Sequence, residues 1–168
     1  VRFNTAASST HEAIVSGGYG SSNARTWELA RLTTGEAQLR VFRYTSPWDK
    51  KVQGTTNLAA DTWYHLAGVR QGDNIRIYVN GVQEGVTSGM NSYSGWNTGR
   101  DFYLGDEGPT TGNNLNGYID ELRFSSNTRY PDGTTFTPRT TEYGDVSIGA
   151  DSSGNTNDFT PTNLVATD

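Results

Sequence analysis

Residues 61–86 read DTWYHLAGVRQGDNIRIYVNGVQEGV, and this stretch decides the fold class. Apolar residues occupy alternating positions in its second half: Ile75, Ile77 and Val79. This period of two is typical of a strand with one buried face. The run over 61–70 predicts a preceding strand, and the pairs Gly72-Asp73 and Asn80-Gly81 predict tight turns on both sides of the central strand. The stretch therefore predicts consecutive antiparallel strands, the last of them over 82–86.

Further strands are predicted at short intervals, and no window of the sequence shows a helical stripe. They lie at 12–17, 26–33, 38–45, 101–105 and 117–125. Polar segments between them are predicted to be loops: 17–25, 46–60 and 87–100. Strands at this spacing predict an all-β protein with an antiparallel two-sheet jelly-roll sandwich. Seven residues are expected to be largely buried in its core: Trp63, Ile75, Ile77, Val79, Leu104, Ile119 and Leu122.

The composition excludes several classes of function. The chain has 168 residues, a formal net charge of −5 and no cysteine. Without cysteine, thiol catalysis, disulfides and thiolate metal sites are excluded. The negative charge provides no basic surface for phosphate backbones, so nucleic acid is not expected as a partner. No apolar run in the sequence is long enough to span a bilayer, so membrane insertion is not expected.

The sequence suggests two parts of unequal character. Residues 1–138 carry the strand patterns and are predicted to form the sandwich. Residues 139–168 are polar and carry few aliphatic positions, so they are predicted to be an extended C-terminal arm or linker.

Three segments, taken in order, resemble the laminin-G/pentraxin-like family of the concanavalin-A-like superfamily. They are Thr62-Trp63-Tyr64-His65-Leu66-Ala67-Gly68-Val69-Arg70, Ile75-Arg76-Ile77-Tyr78-Val79-Asn80-Gly81, and Phe102-Tyr103-Leu104-Gly105 followed by Gly117-Tyr118-Ile119-Asp120-Glu121-Leu122-Arg123-Phe124. The resemblance implies a concanavalin-A-like, lectin-type sandwich.

A narrower resemblance concerns the end of the chain. Arg129-Tyr130, Phe136-Thr137-Pro138 and Asp151-Ser152-Ser153-Gly154-Asn155 are similar to segments of such domains in tail and structural proteins of marine bacteriophages. This implies an extracellular or virion location, with neighbouring chains of the same assembly as partners. Members of the family usually carry one or two strands before the segment that Val1-Arg2-Phe3-Asn4 resembles. We therefore expect residues 141–149 or a neighbouring chain to complete the sheet.

No catalytic constellation is predicted. Asp120 and Glu121 are adjacent on a predicted strand, so their side chains point to opposite faces and cannot act on one atom. The Glu-x-Asp-x-x-Glu pattern of the related glucanases is missing. His65 is expected to be a hydrogen-bonded core histidine, and His11 lies in a polar loop without an evident partner. The protein is therefore expected not to be an enzyme.

Calcium is the cofactor that the sequence favours, because calcium takes oxygen ligands from loops. Four candidate ligands lie between Gly105 and Asn116: Asp106, Glu107, Asn113 and Asn114. Laminin-G-like domains often place loop ligands in such a position. The alternative is that these residues only form turns.

Aromatic residues in polar loops are candidates for stacking on sugar rings. They are Trp48, Tyr93 and Trp96, with Asn91 and Asn97 as hydrogen-bonding neighbours. The alternative is that these rings pin their loops onto the sandwich. Two functions stay open: a non-enzymatic module that binds surface glycans in adhesion, and a structural element that assembles or decorates a virion or filament.

Overall fold

The computed structural model describes residues 1–17, 27–42, 50–91, 101–108, 112–130 and 133–140. Within these ranges the chain contains β-strands and no helix. The strands are β1 (Arg2–Phe3), β2 (Glu12–Gly17), β3 (Trp27–Arg31), β4 (Glu36–Val41), β5 (Lys50–Asn57), β6 (Leu66–Gln71), β7 (Asn74–Val79), β8 (Val82–Ser88), β9 (Phe102–Leu104) and β10 (Gly117–Tyr118). The predicted all-β class is confirmed.

The strands form an antiparallel sandwich of two layers. One layer is a five-stranded sheet in the order β5-β4-β3-β2-β9. The facing layer contains the three-stranded sheet β6-β7-β8, whose central strand lies against β4 and β5. The short pair β1-β10 extends this second layer, because Arg2 bridges to Trp63 just before β6. The predicted two-sheet architecture is confirmed.

The core lies between the layers and is built from alternate positions of the strands. Its buried apolar residues are Phe3, Ile14, Val15, Leu29, Ala37, Leu39, Val41, Val52, Leu58, Ile75, Ile77, Val79 and Met90. The predicted burial of Ile75, Ile77 and Val79 is thus confirmed. Each of these core side chains except Ala37 contributes roughly 1.5–3 kcal/mol when it leaves water.

Both predicted hairpins around β7 are present. Gln71 pairs with Asn74, so Gly72 and Asp73 form a two-residue turn, with Gly72 at φ 55°. Val79 pairs with Val82 across the Asn80-Gly81 turn, where both central residues have positive φ, 49° and 84°. Asn-Gly is the pair that best tolerates this geometry. Local turn chemistry therefore sets the register of β6, β7 and β8.

The prediction of a loop over 46–60 is wrong for its described part, since Lys50–Asn57 is strand β5. It pairs with β4, with Leu39 opposite Val52. Val52 and Gly54 point inward and are buried, whereas Lys51 and Gln53 are exposed. The alternation was hidden because only one of the inward positions of this strand is a large apolar residue.

The predicted strand over 117–125 ends early. Only Gly117–Tyr118 is in strand conformation, and Glu121 has a left-handed φ of 53° that interrupts an extended chain. Beyond this point Leu122 and Phe124 are exposed rather than buried. The predicted strand over 61–70 also starts late, at Leu66, after Asp61 at φ 58°.

Three of the predicted core residues are exposed: Trp63, Leu104 and Leu122. Leu104 lies on β9, the last strand of the five-stranded sheet among the described residues, where the facing layer does not reach. Trp63 precedes β6 and pairs with Arg2 at the side of the second layer. Ile119 is half-buried and packs against the core. A period-two pattern assigns residues to a face but cannot say how far the opposite sheet extends.

The outer face of β7 is covered by a later segment of the chain. Tyr78 points away from the core, yet it is buried, because Tyr130 and Phe136 lie over it with ring centroids at 6.0 and 5.7 Å. Tyr130 and Phe136 stack on each other at 3.6 Å. Phe136 N donates to the Gly81 carbonyl at 3.0 Å, which fixes the segment to the β7–β8 turn.

The chain divides into two compact units, Val1–Pro138 and Arg139–Asp168. All ten strands belong to the first. Of the second unit, the described residues Arg139 and Thr140 are exposed. The predicted completing strand over 141–149 lies outside the described residues. Among the described residues, none belongs to a helix long and apolar enough to cross a bilayer.

Candidate functional site

The outer face of the five-stranded sheet carries polar side chains. On β3, Trp27 and Leu29 point into the sandwich, so Glu28 between them points outward. The strands pair in register, and this aligns Glu28 with Ser16 on β2 and with Arg40 on β4. Glu28 and Ser16 are nevertheless buried. A charged residue that points away from the core and is still shielded from water requires a partner.

The loop after β9 covers part of this polar outer face. The Ser16 hydroxyl donates to the carbonyl of Asp106 at 3.1 Å, and Ala13 N donates to the carbonyl of Asn113 at 2.9 Å. Asn116 N donates to a carboxylate oxygen of Glu12 at 3.1 Å. Both ends of the 105–116 loop are therefore bonded to β2, which places Glu107 over the sheet.

Three ionisable side chains meet beneath this loop. His11 Nε2 lies 3.0 Å from Glu28 Oε1 and 3.6 Å from Glu107 Oε1. All three donor atoms lie within 4.8 Å of one another. The side chains of Glu28 and Glu107 are 2% and 0% exposed, and that of His11 is 22% exposed. We call this group the His11 cluster. One imidazole and two carboxylates that converge from three separate segments are able to hold a proton or a cation.

The charged groups of the cluster favour the binding of a positive ion. The Glu28 carboxylate, at hydrogen-bonding distance, is the main influence that raises the pKa of His11 above its ordinary value. Burial acts in the opposite direction, Glu107 adds to the increase, and Arg40 opposes it. The Glu28 carboxylate oxygen nearest the ring makes no aligned hydrogen bond among the described residues. The arrangement therefore attracts a proton or a metal ion to Nε2.

The predicted calcium ligands make hydrogen bonds and backbone contacts within and around their loop. Asp106 accepts from the backbone N–H of Gly108 at 2.9 Å, which closes its own turn. The Asn113 amide nitrogen donates to Glu107 Oε2 and so supports that carboxylate. Asn114 is exposed and forms a bridge with Ala13. Calcium at these four residues stays a prediction.

Most of the predicted glycan-binding residues lie outside the described residues: Trp48, Tyr93, Trp96 and Asn97. Asn91 is described and exposed, and its backbone N–H donates to the Asp73 carboxylate at 2.7 Å. Gly89 N donates to the other oxygen of the same carboxylate at 3.1 Å. Asp73 therefore fixes the backbone at the point where the chain enters residues 92–100.

The ends of five strands bring the segments with these aromatic residues to a common border. One row across the five-stranded sheet consists of Phe102, Gly17, Trp27, Val41 and Lys50. Residues 18–26 and 43–49 connect members of this row, and residues 92–100 lead into it through Asp101. The predicted aromatic residues are therefore attached to a single end of the sheet.

The structure also places two other ionisable groups that the sequence singled out, His65 and Asp120. The half-buried His65 packs edge-on against Phe136 at 5.4 Å, and its Nδ1 makes no hydrogen bond among the described residues. The expected hydrogen bond of this histidine is thus not seen at Nδ1, and desolvation lowers the pKa of His65. Asp120 is exposed, and its carboxylate accepts from the N–H of Glu121 at 2.9 Å.

The sequence analysis missed the His11 cluster, and its expectation that His11 has no evident partner is wrong. The three residues are separated by 17 and 79 positions, so no spacing motif signals them. One signal was available, since Glu28 lies between the apolar residues Trp27 and Leu29 of one strand and so takes the opposite face from them. Glu107 was named, but as a member of a different ligand set.

Comparisons with known proteins support a lectin-type fold. A family model described as "Concanavalin A-like lectin/glucanases superfamily" matches residues 1–133. A comparison with curated protein sequences finds no significant match. Among solved structures, the chain is similar to an S-layer domain-containing protein (residues 221–444) from Clostridium thermocellum ATCC 27405, at 20% identity and a TM-score of 0.32. That alignment covers 76% of this chain and 61% of the other.

The family match spans most of the chain and both layers of the sandwich, from β1 past β10 to Tyr130 over β7. It agrees with the antiparallel topology and with the absence of helix from the described residues. The chain therefore belongs to the laminin-G-type family of the concanavalin A-like lectin/glucanases superfamily.

Proposed function

We propose that this chain is a non-enzymatic recognition module that binds glycans in an adhesive protein of a virion or a cell surface. The observation that carries the proposal is the row of strand ends at one border of the five-stranded sheet. The two segments that carry the predicted sugar-stacking rings, 43–49 and 92–100, are attached there. Rings from separate segments that share one border are suited to line a single binding site.

The polar outer face next to this border supports the same proposal. Arg40 Nε donates to the Gln38 side-chain oxygen at 3.1 Å. Gln38 is 3.5 Å from the side-chain oxygen of Gln53 on the neighbouring strand. Gln38 itself is buried, so the half-buried Arg40 and the exposed Gln53 are the groups suited to hydrogen-bond sugar hydroxyls, while aromatic rings supply apolar contact.

The lack of an exposed pair of facing carboxylates among the described residues supports a binding role over hydrolysis. Glycoside hydrolysis uses two carboxyl groups about 5–10 Å apart on either side of an accessible bond. Glu28 and Glu107 face each other, but both are buried beside His11. Asp120 is exposed, but its carboxylate is bonded to the adjacent backbone.

A glycan array with the full chain tests this function. We expect one class of glycan to bind, and Trp48→Ala and Trp96→Ala to weaken binding about tenfold each, since an aromatic contact is worth roughly 0.5–1.5 kcal/mol. The matched control is Trp63→Ala, which removes a ring that is exposed on the other layer. Its binding should equal that of the unmodified chain. Absence of binding across the array, or equal loss in all three variants, would contradict the proposal.

A second function, assembly with neighbouring chains of a virion or filament, is favoured by a different observation. Phe102 and Phe124 are 57% and 54% exposed and touch each other at 4.9 Å. Both also contact Trp27 edge-on. Phe102 lies on β9, the last strand of its sheet in the described part of the chain. An edge strand beside exposed rings is a surface that favours strand addition.

A further inference from the structure

We propose that His11, Glu28 and Glu107 form a site for one divalent transition-metal ion of the zinc type. The proposal goes beyond glycan recognition, because it concerns a buried ion and requires no sugar. It differs from the predicted calcium set, with which it shares only Glu107. It rests on three features of the cluster: its donor geometry, its buried charge and the support of its ligands.

The distances from His11 to the two glutamates fit the ligands of one small cation, and all three donor atoms lie within 4.8 Å of one another. Bonds of about 2.0–2.2 Å to imidazole nitrogen and carboxylate oxygen place neighbouring ligands of an ion roughly 3–3.6 Å apart. The distances from His11 Nε2 to the two glutamate oxygens are 3.0 and 3.6 Å. The donors come from the segment before β2, from β3 and from the loop after β9. A metal ion would therefore tie three separate segments together.

The buried charge requires compensation. Two carboxylates lie together in a shielded place, and the Glu28 oxygen that faces the ring makes no aligned hydrogen bond among the described residues. Removing a carboxylate from water costs several kcal/mol per ion, and His11 compensates this only when its ring is protonated. A proton on His11 Nε2 is shared with Glu28 at 3.0 Å, whereas Glu107 at 3.6 Å lies beyond hydrogen-bonding distance. A single divalent ion would contact both carboxylates, with Arg40 as a further positive charge nearby.

The chemistry of the donors selects the ion. Calcium and magnesium prefer sites made of oxygen alone, with six or more ligands for calcium. Imidazole nitrogen is preferred by zinc and by its neighbours in the first transition row. One histidine and two glutamates offer the nitrogen and carboxylate donors that zinc takes in three-ligand protein sites, in which a further position is left for water.

Residues around the cluster support the ligands as they do in metal sites. The Asn113 amide donates to Glu107 Oε2, which leaves Oε1 directed toward His11. Asn113 is held in turn by its carbonyl, which accepts from Ala13 N at 2.9 Å. Loss of such a supporting residue typically lowers metal affinity by about 10–100-fold.

Calorimetric titration of the full chain, freed of metal by chelation, tests the proposal with ZnCl₂ and, separately, CaCl₂. We expect one zinc ion per chain and much weaker calcium binding. Asn113→Ala should weaken zinc binding about 10–100-fold. His11→Ala and Glu28→Gln should weaken it more. Binding of Co²⁺ in place of zinc should give visible absorption bands that are lost in His11→Ala.

The control is His65→Gln, which removes the other histidine of the chain and should leave zinc binding unchanged. If Glu28→Gln fails to fold by circular dichroism, His11→Ala decides, because the His11 side chain is partly exposed and precedes β2. Equal zinc affinity in His11→Ala and the unmodified chain would overturn the proposal. So would the lack of one-to-one zinc binding, or tighter binding of calcium than of zinc.

Discussion

Glu84 is a single residue that links the two layers of the sandwich. It lies on β8, and its carboxylate accepts from the backbone N–H groups of Thr55 and Thr56 on β5, at 2.7 and 3.0 Å. The Thr56 hydroxyl also donates to it. Burial alone would raise the pKa of Glu84, but the hydrogen bonds from Thr56 and Thr55 outweigh it and lower the pKa.

This lowered pKa predicts a loss of stability in acid. The ionised form of Glu84 stabilises the fold fully above the unfolded pKa of about 4.3, and its contribution disappears as pH falls through the lower folded pKa. Glu84→Gln should cost about 1–2 kcal/mol at pH 7, and less at pH 3. Urea denaturation at both pH values measures this. The control is Glu36→Gln, whose carboxylate accepts from the nearby Thr34 hydroxyl. An equal loss in the two variants would contradict the role of Glu84.

At the level of elements, the Asn80-Gly81 turn does more than reverse the chain. Gly81 has φ +84°, and a Cβ at this position would lie 1.8 Å from the carbonyl oxygen of Phe136. The segment that covers β7 therefore packs directly against this turn. Gly72, in the other hairpin, also has positive φ, but a Cβ there would meet nothing within 4 Å.

The two glycines form a matched pair for mutation. Gly72→Ala should cost roughly 1–2 kcal/mol, the strain of a left-handed residue with a Cβ. Gly81→Ala should cost clearly more, because the same strain is joined by a clash with backbone. Denaturant titration compares the two free energies of unfolding. If the two variants lose equal stability, the segment around Phe136 does not rest on this turn.

For the whole molecule, the assembly function predicts that neighbouring chains contact the outer edge of β9. If neighbouring chains do, sedimentation velocity should show association that increases with protein concentration. Phe102→Ser should abolish it by removing an exposed ring from the edge strand. The control is Val86→Ser, since Val86 is comparably exposed on β8 of the other layer. A chain that stays monomeric at all concentrations would contradict the assembly function and leave glycan recognition as the proposal.

The sequence by itself determined the features that depend on neighbouring residues. The period-two run of β7 and the turn pairs beside it act through local backbone geometry, so strand identity and hairpin register were predictable. The family was recognisable from the same segments, because they are contiguous. By contrast, β5 was missed, since Lys, Gln and Thr on its outer face masked a short inward pattern.

The tertiary structure decided what depends on distant residues. It determined that Trp63 and Leu104 are exposed, because exposure depends on how far the opposite layer extends. It also brought His11, Glu28 and Glu107 together, through a loop bonded across β2. No local sequence pattern predicts that these three side chains lie close together, since they share neither an element nor a spacing. Neighbouring residues determine backbone geometry. Burial and the convergence of charged groups depend on how the two layers of the sandwich pack together.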